Sequence, residues 1–429
     1  MSAATTRRTR IFIGTVVVAA LTSLVACAPT PEATPTSPPS PSVEPTAPDP
    51  YAGPIDFVGD ELGWLLPSAE DLTTLIPSAT DVSDPTDRLE QISDGGGPEF
   101  APAICGILYM EHSIGSVGTR IVSWSLPGDT DYTVNSVTAM QFADEAQATF
   151  RMDQIERAAE ECAQFDFGGP ETFDAVVAEK VDGVRAVAGT LNAEESSPGW
   201  RSFHAFASVG NSLVHLMTSL PTDAPIDAPA AAELLQRTAA EAKAELVASL
   251  TSAPPAGAEE PTGDASSPWG DWTITELGVG PIRLGDTLDD VSAALPDAAL
   301  TPARGPRSTT ATSADGASSL LVDVEDDGKI SGITAGGVSD EEDLGMDGAD
   351  APSAYGVRIG DPVSAAITAA PGGTRLHVSS SGQWGYMVAD RDGHRLIFHT
   401  TREDTDSPEA RIIGISLSDM AAWGDLSVE

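Results

Sequence analysis

The chain has 429 residues, with 65 acidic side chains against 22 basic ones and a formal net charge of −43. That balance excludes nucleic acid as a partner, since affinity for it comes from neutralising phosphates with Lys and Arg, and it excludes a peripheral grip on anionic lipid, which needs basic patches. Hydrophobic residues make up 41% and aromatics only 5%, so any core must be filled mainly by Ala, Val, Leu and Ile.

In chain order, Arg7, Arg8 and Arg10 precede an uncharged run over residues 11–26. A basic head, a short apolar middle and small residues before a break are the parts of a secretory signal. The run is shorter than the roughly 20 residues a spanning helix requires. Leu24, Val25, Ala26 and Cys27 then resemble the lipobox of bacterial lipoproteins. The resemblance implies that 1–26 is a removable signal peptide. It also implies that Cys27 carries acyl chains such as palmitate and anchors the chain in the lipid bilayer, on the extracytoplasmic face of the cell membrane. Buried acyl chains contribute about 0.8 kcal/mol per CH₂. Residues 28–50 hold nine prolines among Thr, Ser, Ala and acids. Such a segment extends as polyproline II, at about 3.1 Å per residue. Residues 27–54 therefore read as a stalk.

A second Pro, Gly and Ser stretch, "TSAPPAGAEEPTGDASSP" at 251–268, reads as a linker between domains over 55–250 and 269–429. In the first domain Ser68 caps a short helix, with Asp71 in its first turn. "TRIVSWSL" and "YTVNSVTAM" alternate like strands. Over 143–164 the period changes, and Met152, Ile155, Ala159 and Cys162 share a helical face beyond Asp144 and Glu145. "GVRAVAGTL", "WRSFHAFASV" and "SLVHLMTSL" return to strands, and an Ala-rich helix over 230–250 closes the domain. The expected class is α+β, an antiparallel sheet with packed helices. With Cys27 lipidated, Cys105 and Cys162 remain as an even pair outside the cytoplasm and read as a disulfide. The bridge would pin the region before the sheet to the end of the 143–164 helix.

"LPSAEDL" at 66–72, Cys105, Val137, Phe142, Ala146 and Cys162 together resemble the extracellular sensor domain of PknH-type receptor kinases, which also occurs in envelope lipoproteins. The resemblance covers about 55–250. It implies a sheet with a ligand cleft and, since no kinase domain follows, signalling through a partner. The chain departs from the pattern twice. The family has two disulfides where this chain can form one, and Ala158 and Ala159 replace an aromatic before the second cysteine.

The second domain contains a repeat. "PIRLGDTLDDVSAALP" at 281–296 matches "GVRIGDPVSAAITAAP" at 356–371, with Arg283 on Arg358, Gly285 on Gly360 and Asp286 on Asp361. Each copy, about 269–345 and 346–429, reads as a strand end, a glycine turn, an aspartate N-cap, a helix and a strand meander. Two copies together are expected to cover a sheet face that one leaves bare. The arrangement is similar to the tandem-repeat β-lactamase inhibitor proteins.

For chemistry, "WRSFHAFASVGNSLVHLMTSL" reads as a hairpin turning at Gly210 and Asn211. Pairing Val209 with Ser212 puts His204 opposite Met217 and His215 opposite Phe206. His204, Phe206, His215 and Met217 then share one face, free to line a cleft or to sit beneath a helix. "DVEDDGKI" at 323–330 begins like a calcium loop but has Thr334 where a bidentate Glu is needed; with "DRDG" at 390–393 it reads as a hairpin turn. His377, His394 and His399 lie close in sequence, on strands of the second copy. No nucleophile elbow, zinc-protease helix or phosphate loop occurs, and no cofactor or metal is expected. The expected function is that of a non-catalytic lipoprotein binding an unidentified envelope ligand or protein. The alternatives are an extracytoplasmic hydrolase or metal-dependent enzyme, or a scaffold or inhibitor of another envelope protein.

Overall fold

The computed structural model describes residues 49–422, apart from 92–99, 111, 114, 131–132, 193–200, 221–224, 304, 306, 339–347, 380–381 and 402–404. Cys27, the expected signal peptide and most of the expected stalk lie outside the described residues. The fold is α+β.

The first half contains α1 (Ala69–Leu75), β1 (Arg88–Gln91), β2 (Gly118–Ser123), β3 (Asn135–Gln141), α2 (Glu145–Glu161), β4 (Phe165–Asp166), β5 (Pro170–Val177), β6 (Arg185–Asn192), β7 (Arg201–Val209), β8 (Ser212–Ser219) and α3 (Ala228–Ser252). Strands β2 to β8 form an antiparallel sheet in the order β2-β3-β8-β7-β6-β5-β4. Period-2 alternation divides its residues between two cores. Val137, Ala139, Phe203, Ala205, Ala207, Val214 and Leu216 face α3, which buries Ala231, Leu235, Ala239, Ala242 and Leu246 against them. α3 starts on the Asp227 cap with Pro229 in its first turn, where its missing N–H is tolerated. On the other face Met140, Phe173, Val187, Leu191, Phe206 and Leu213 meet Ala148, Met152, Ile155 and Ala158 of α2. Ala158 is fully buried and Ala159 only partly, so the apolar stripe of α2 is centred one residue earlier than expected. α2 packs over β5 to β8.

The β7–β8 hairpin turns at Gly210 and Asn211 in the expected register. Gly210 takes φ +54°, and a Cβ there would sit 1.7 Å from Ile55 O. The buried Asn211 side chain accepts from Phe57 N (2.8 Å) and donates to Phe57 O (3.2 Å) and Phe142 O (3.3 Å). It thereby fastens the incoming chain to the hairpin. Asn211→Ala leaves those buried backbone groups unpaired and is expected to cost about 2–3 kcal/mol, read as a lower urea midpoint at unchanged m-value.

The second half contains β9 (Thr273–Thr275), β10 (Gly278–Val279), β11 (Ile282–Arg283), α4 (Leu288–Ala294), β12 (Ala299–Pro302), β13 (Ser308–Thr312), β14 (Ser319–Val324), β15 (Ile330–Gly336), β16 (Ser353–Ala354), α5 (Val363–Ala369), β17 (Thr374–Val378), β18 (Gln383–Ala389), β19 (His394–Thr400) and β20 (Ile412–Asp419). Each copy is a helix followed by a four-strand meander. Contrary to the expectation from the sequence, the copies do not cover one another's sheet faces. They join edge to edge through the antiparallel β15–β20 pair, giving the order β17-β18-β19-β20-β15-β14-β13-β12. β15 is buried along its whole length and β20 along nearly all of it, as strands central to a sheet require. Val291 and Leu295 at α4, Val363 and Ala366 of α5, and Trp269 and Trp272 cover one face.

Asp286 and Asp361 are not the helix caps. Each lies one residue too early, and its carboxylate instead accepts from the backbone N–H of Arg283 (2.9 Å) or Arg358 (2.8 Å), closing the glycine turn. Thr287 caps α4 in a box with Asp290, and Pro362 takes the cap position of α5.

Residues Pro48–Glu429 form one compact unit. β1, from the first half, adds to the edge of the second sheet by pairing in parallel with β17. Arg120 on β2 donates to Asp60 and to Gly372 O, both at 2.7 Å, and Thr119 N donates to Thr374 Oγ1 at 3.1 Å. In the 251–268 stretch Asp264 O and Ser267 Oγ accept from Trp272 Nε1, so its second half packs on the repeat.

Candidate functional site

A cleft of about 890 Å³ lies where the uncovered end of the first sheet meets the β1–β17–β18 edge of the second. Its floor follows from the sheet register. Ile121 stands opposite Thr138, and Thr138 opposite His215; beside them run Ser123, Ser136 and Met217. α2 stops short of this corner, so these side chains meet space where Phe206 and Val187 meet a helix.

One wall carries Tyr109, Met110, His112 and Ser113. They follow a 3₁₀ turn (Ala103–Leu108) that the Cys105–Cys162 disulfide ties to the C-terminus of α2. The bridge is the pairing expected from the sequence. The opposite wall carries Leu89 and Leu376 and a cross-strand pair, His377 and Trp384, whose rings stack with centroids 3.5 Å apart. Arg375 at the rim pairs with Asp87 and Asp406.

The four residues of the hairpin patch occupy one face of the sheet, but the cleft receives only two of them. His215 and Met217 line it, whereas His204 (2% exposed) and Phe206 (0%) are covered. The rings form a chain: Ser202 Oγ lies 2.7 Å from His204 Nε2, and His204 Nδ1 lies 3.1 Å from His215 Nε2. Phe206 stacks on His215 at 4.4 Å, and His112 meets both rings edge-on at about 5 Å. Burial pushes His204 down to about 4. Burial also holds His112 and His215 well below the ordinary histidine value; nearby Arg151 and His204 push the same way on His112, and His112 and His204 on His215. All three rings are neutral at pH 7. Ser202 and His204 touch as a nucleophile and base would, yet Ser202 is fully buried, so no substrate reaches the pair.

His112 and Arg151 carry no motif and escaped the sequence reading. Arg151 was discoverable, since it falls on the stripe Ala148, Met152, Ile155 and Ala158 where an apolar residue is the rule.

The second-copy histidines do not converge. His377 stacks on Trp384, His394 Nδ1 bonds Asp390 Oδ2 at 2.7 Å, and His399 Nε2 bonds Ser416 Oγ at 2.8 Å. Asp390, Asp392 and His394 lie close enough to share an ion. Asp390, however, already accepts from its own turn through Asp392 N and His394 N, both at 2.9 Å. Residues 325–329 likewise form the β14–β15 turn, with Gly328 at φ +81°.

No protein-family model and no curated protein matches the chain. Among solved structures, the extracellular domain of PknH from Mycobacterium tuberculosis is similar at 13% identity and TM-score 0.30, covering 46% of this chain and 98% of that one. A Mycobacterium smegmatis protein described as an orthologue of Rv0999 is similar at 16% identity and TM-score 0.25, covering 43% of this chain and 97% of that one.

Proposed function

We propose that the chain is an extracytoplasmic lipoprotein that acts by binding. Acyl chains on Cys27 hold it to the cell membrane, the 27–54 stalk lifts the folded body from the lipid, and the cleft takes an envelope ligand whose occupancy a partner protein reads. The observation that carries this reading is the cleft, which has the volume, mixed lining and position between packed bodies usual for ligand sites. The Cys105–Cys162 bridge supports an oxidising compartment. The sensor role is an inference from the resemblance of 55–250 to the PknH-type domain, and the repeat half then serves as an interaction module.

Two measurements test the proposal on the full-length protein. Intact-mass analysis of membrane-extracted protein should give a chain starting at a diacylated Cys27, and Cys27→Ala should leave the membrane fraction. Thr138→Trp, which fills the cleft floor, should abolish a thermal shift produced by envelope extract without lowering the ligand-free midpoint. A Cys27→Ala chain that stays membrane-bound defeats the anchor. An extract shift that survives Thr138→Trp defeats the cleft.

A further inference from the structure

We infer that the cleft takes a ligand with an apolar or aromatic body and one anionic group, and that this group seats against His112, in front of Arg151. The inference rests on the cleft reading above and adds a ligand class to it.

Arg151 is fully buried on α2. Its Nη1 donates to Gln154 Oε1 at 3.2 Å and touches Met110 Sδ, while Nε and Nη2 have no partner among the described residues. No described carboxylate pairs with it. His112, 3% exposed, lines the cleft and lies near enough to this guanidinium to feel its charge, and neither of its ring nitrogens has a partner among the described residues. Buried cations are normally paired and buried donors satisfied, because the alternative is an uncompensated desolvation cost. Here an unpaired cation and an unsatisfied ring occur together at the inner end of the cleft. Each has an N–H without an acceptor, and one acceptor carrying negative charge would serve both.

Other described charges near the cleft have partners: Arg88 pairs with Asp406, and the buried Glu171 accepts from Tyr109 Oη. Arg375 is held by Asp87 and Asp406, and Glu90 approaches His377 at 3.6 Å. Arg151 is thus a described charge at the inner end without an ion-pair partner, within a strongly acidic chain. Screening confines the repulsion of the distant acids to about a Debye length, roughly 8–10 Å, whereas Arg151 acts at short range in a dry setting. The remaining lining calls for an apolar body: Met110, Met140 and Met217 offer adaptable thioether surface, and Leu89, Leu376 and Trp384 close the opposite side.

Fluorescence titration of the full-length protein with two dyes of the same aromatic body tests the inference. One is 1-anilinonaphthalene-8-sulfonate, which is anionic; the other is N-phenyl-1-naphthylamine, which is neutral. The anionic dye should bind at least about tenfold more tightly. Arg151→Met should bring the two within about twofold, without lowering the unfolding midpoint, because it removes an unpaired buried charge. Thr138→Trp should abolish both. Dodecanoate should displace the anionic dye and inorganic phosphate should not; displacement by phosphate alone overturns the amphiphilic ligand.

Equal binding of the two dyes, with both lost in Thr138→Trp, overturns the anionic assignment and leaves the cleft standing. A sharply lowered midpoint in Arg151→Met makes Arg151 structural and overturns the assignment too. Binding of neither dye, or binding that survives Thr138→Trp, removes the cleft itself.

Discussion

Acidification from pH 7 to pH 5 is expected to lower the stability of this protein steeply, well before its surface carboxylates titrate. Four buried histidines are responsible. His112, His204 and His215 belong to the cleft cluster, and His399 is pushed down to about 3 by burial and by nearby Arg395. A histidine whose folded pKa is depressed takes up its proton only in the unfolded chain. Its stabilising contribution is complete above the unfolded value near 6.5 and is lost as pH falls below it. His204 and His399 each lose about 2 kcal/mol by pH 5 on this basis, and His112 and His215 act in the same direction. Two groups oppose them. Asp56, raised to about 6 chiefly by burial, gains stability as pH falls through its folded value. His394, raised chiefly by its bond to Asp390, holds its full contribution below 6.5. Four against two still leaves a loss that is large beside the 5–15 kcal/mol typical of domain stability. Urea midpoints at pH 7, 6 and 5 read it directly, and His399→Gln, which keeps a donor to Ser416, should flatten the slope. A midpoint that holds steady or rises toward pH 5 contradicts the neutral-histidine picture.

The second large effect is loss of the disulfide. Cys105 and Cys162 are 57 residues apart, a loop whose closure contributes about 4 kcal/mol in the chain-entropy model. The pairing also positions the wall of the cleft. Tyr109, Met110 and His112 follow the bridged 3₁₀ turn directly, so releasing Cys105 frees that segment from α2. Cys105→Ala/Cys162→Ala should therefore unfold at lower denaturant by about 3–4 kcal/mol. It should also lose cleft binding at denaturant concentrations where the protein is still folded. If oxidised and reduced protein share one midpoint, the bridge contributes nothing to stability.

Local features were legible from the residues alone. The glycine turn at Gly210 fixes the β7–β8 register, and once Val209 faces Ser212 every cross-strand pair follows. The offset between the two Gly-Asp turns revealed the repeat, because the same backbone geometry demands the same residues twice. The cap assignment went astray by one residue because Asp serves equally well as a cap or as the acceptor of a preceding turn. Which sheet face lies open was not legible: His204 and His215 alternate identically, and only the endpoint of α2 separates a covered ring from one that reaches the cleft. His112 could not be placed at all, since a loop residue carries no period. Nor does any local pattern announce that Arg88–Gln91 will pair with a strand nearly three hundred residues away.

That last pairing governs how the molecule must be made. Asp87 and Arg375, which hold the parallel pair together, are separated by 288 positions. Local hairpins can close early, but the edge at Thr374–Val378 stays bare until two distant segments meet, and contacts of such separation form slowly. An incomplete chain ending in the 251–268 stretch lacks that partner strand. The complementary C-terminal fragment presents an unpaired edge open to intermolecular association. Synthesis must therefore pass Val378 before the two sheets can be locked together.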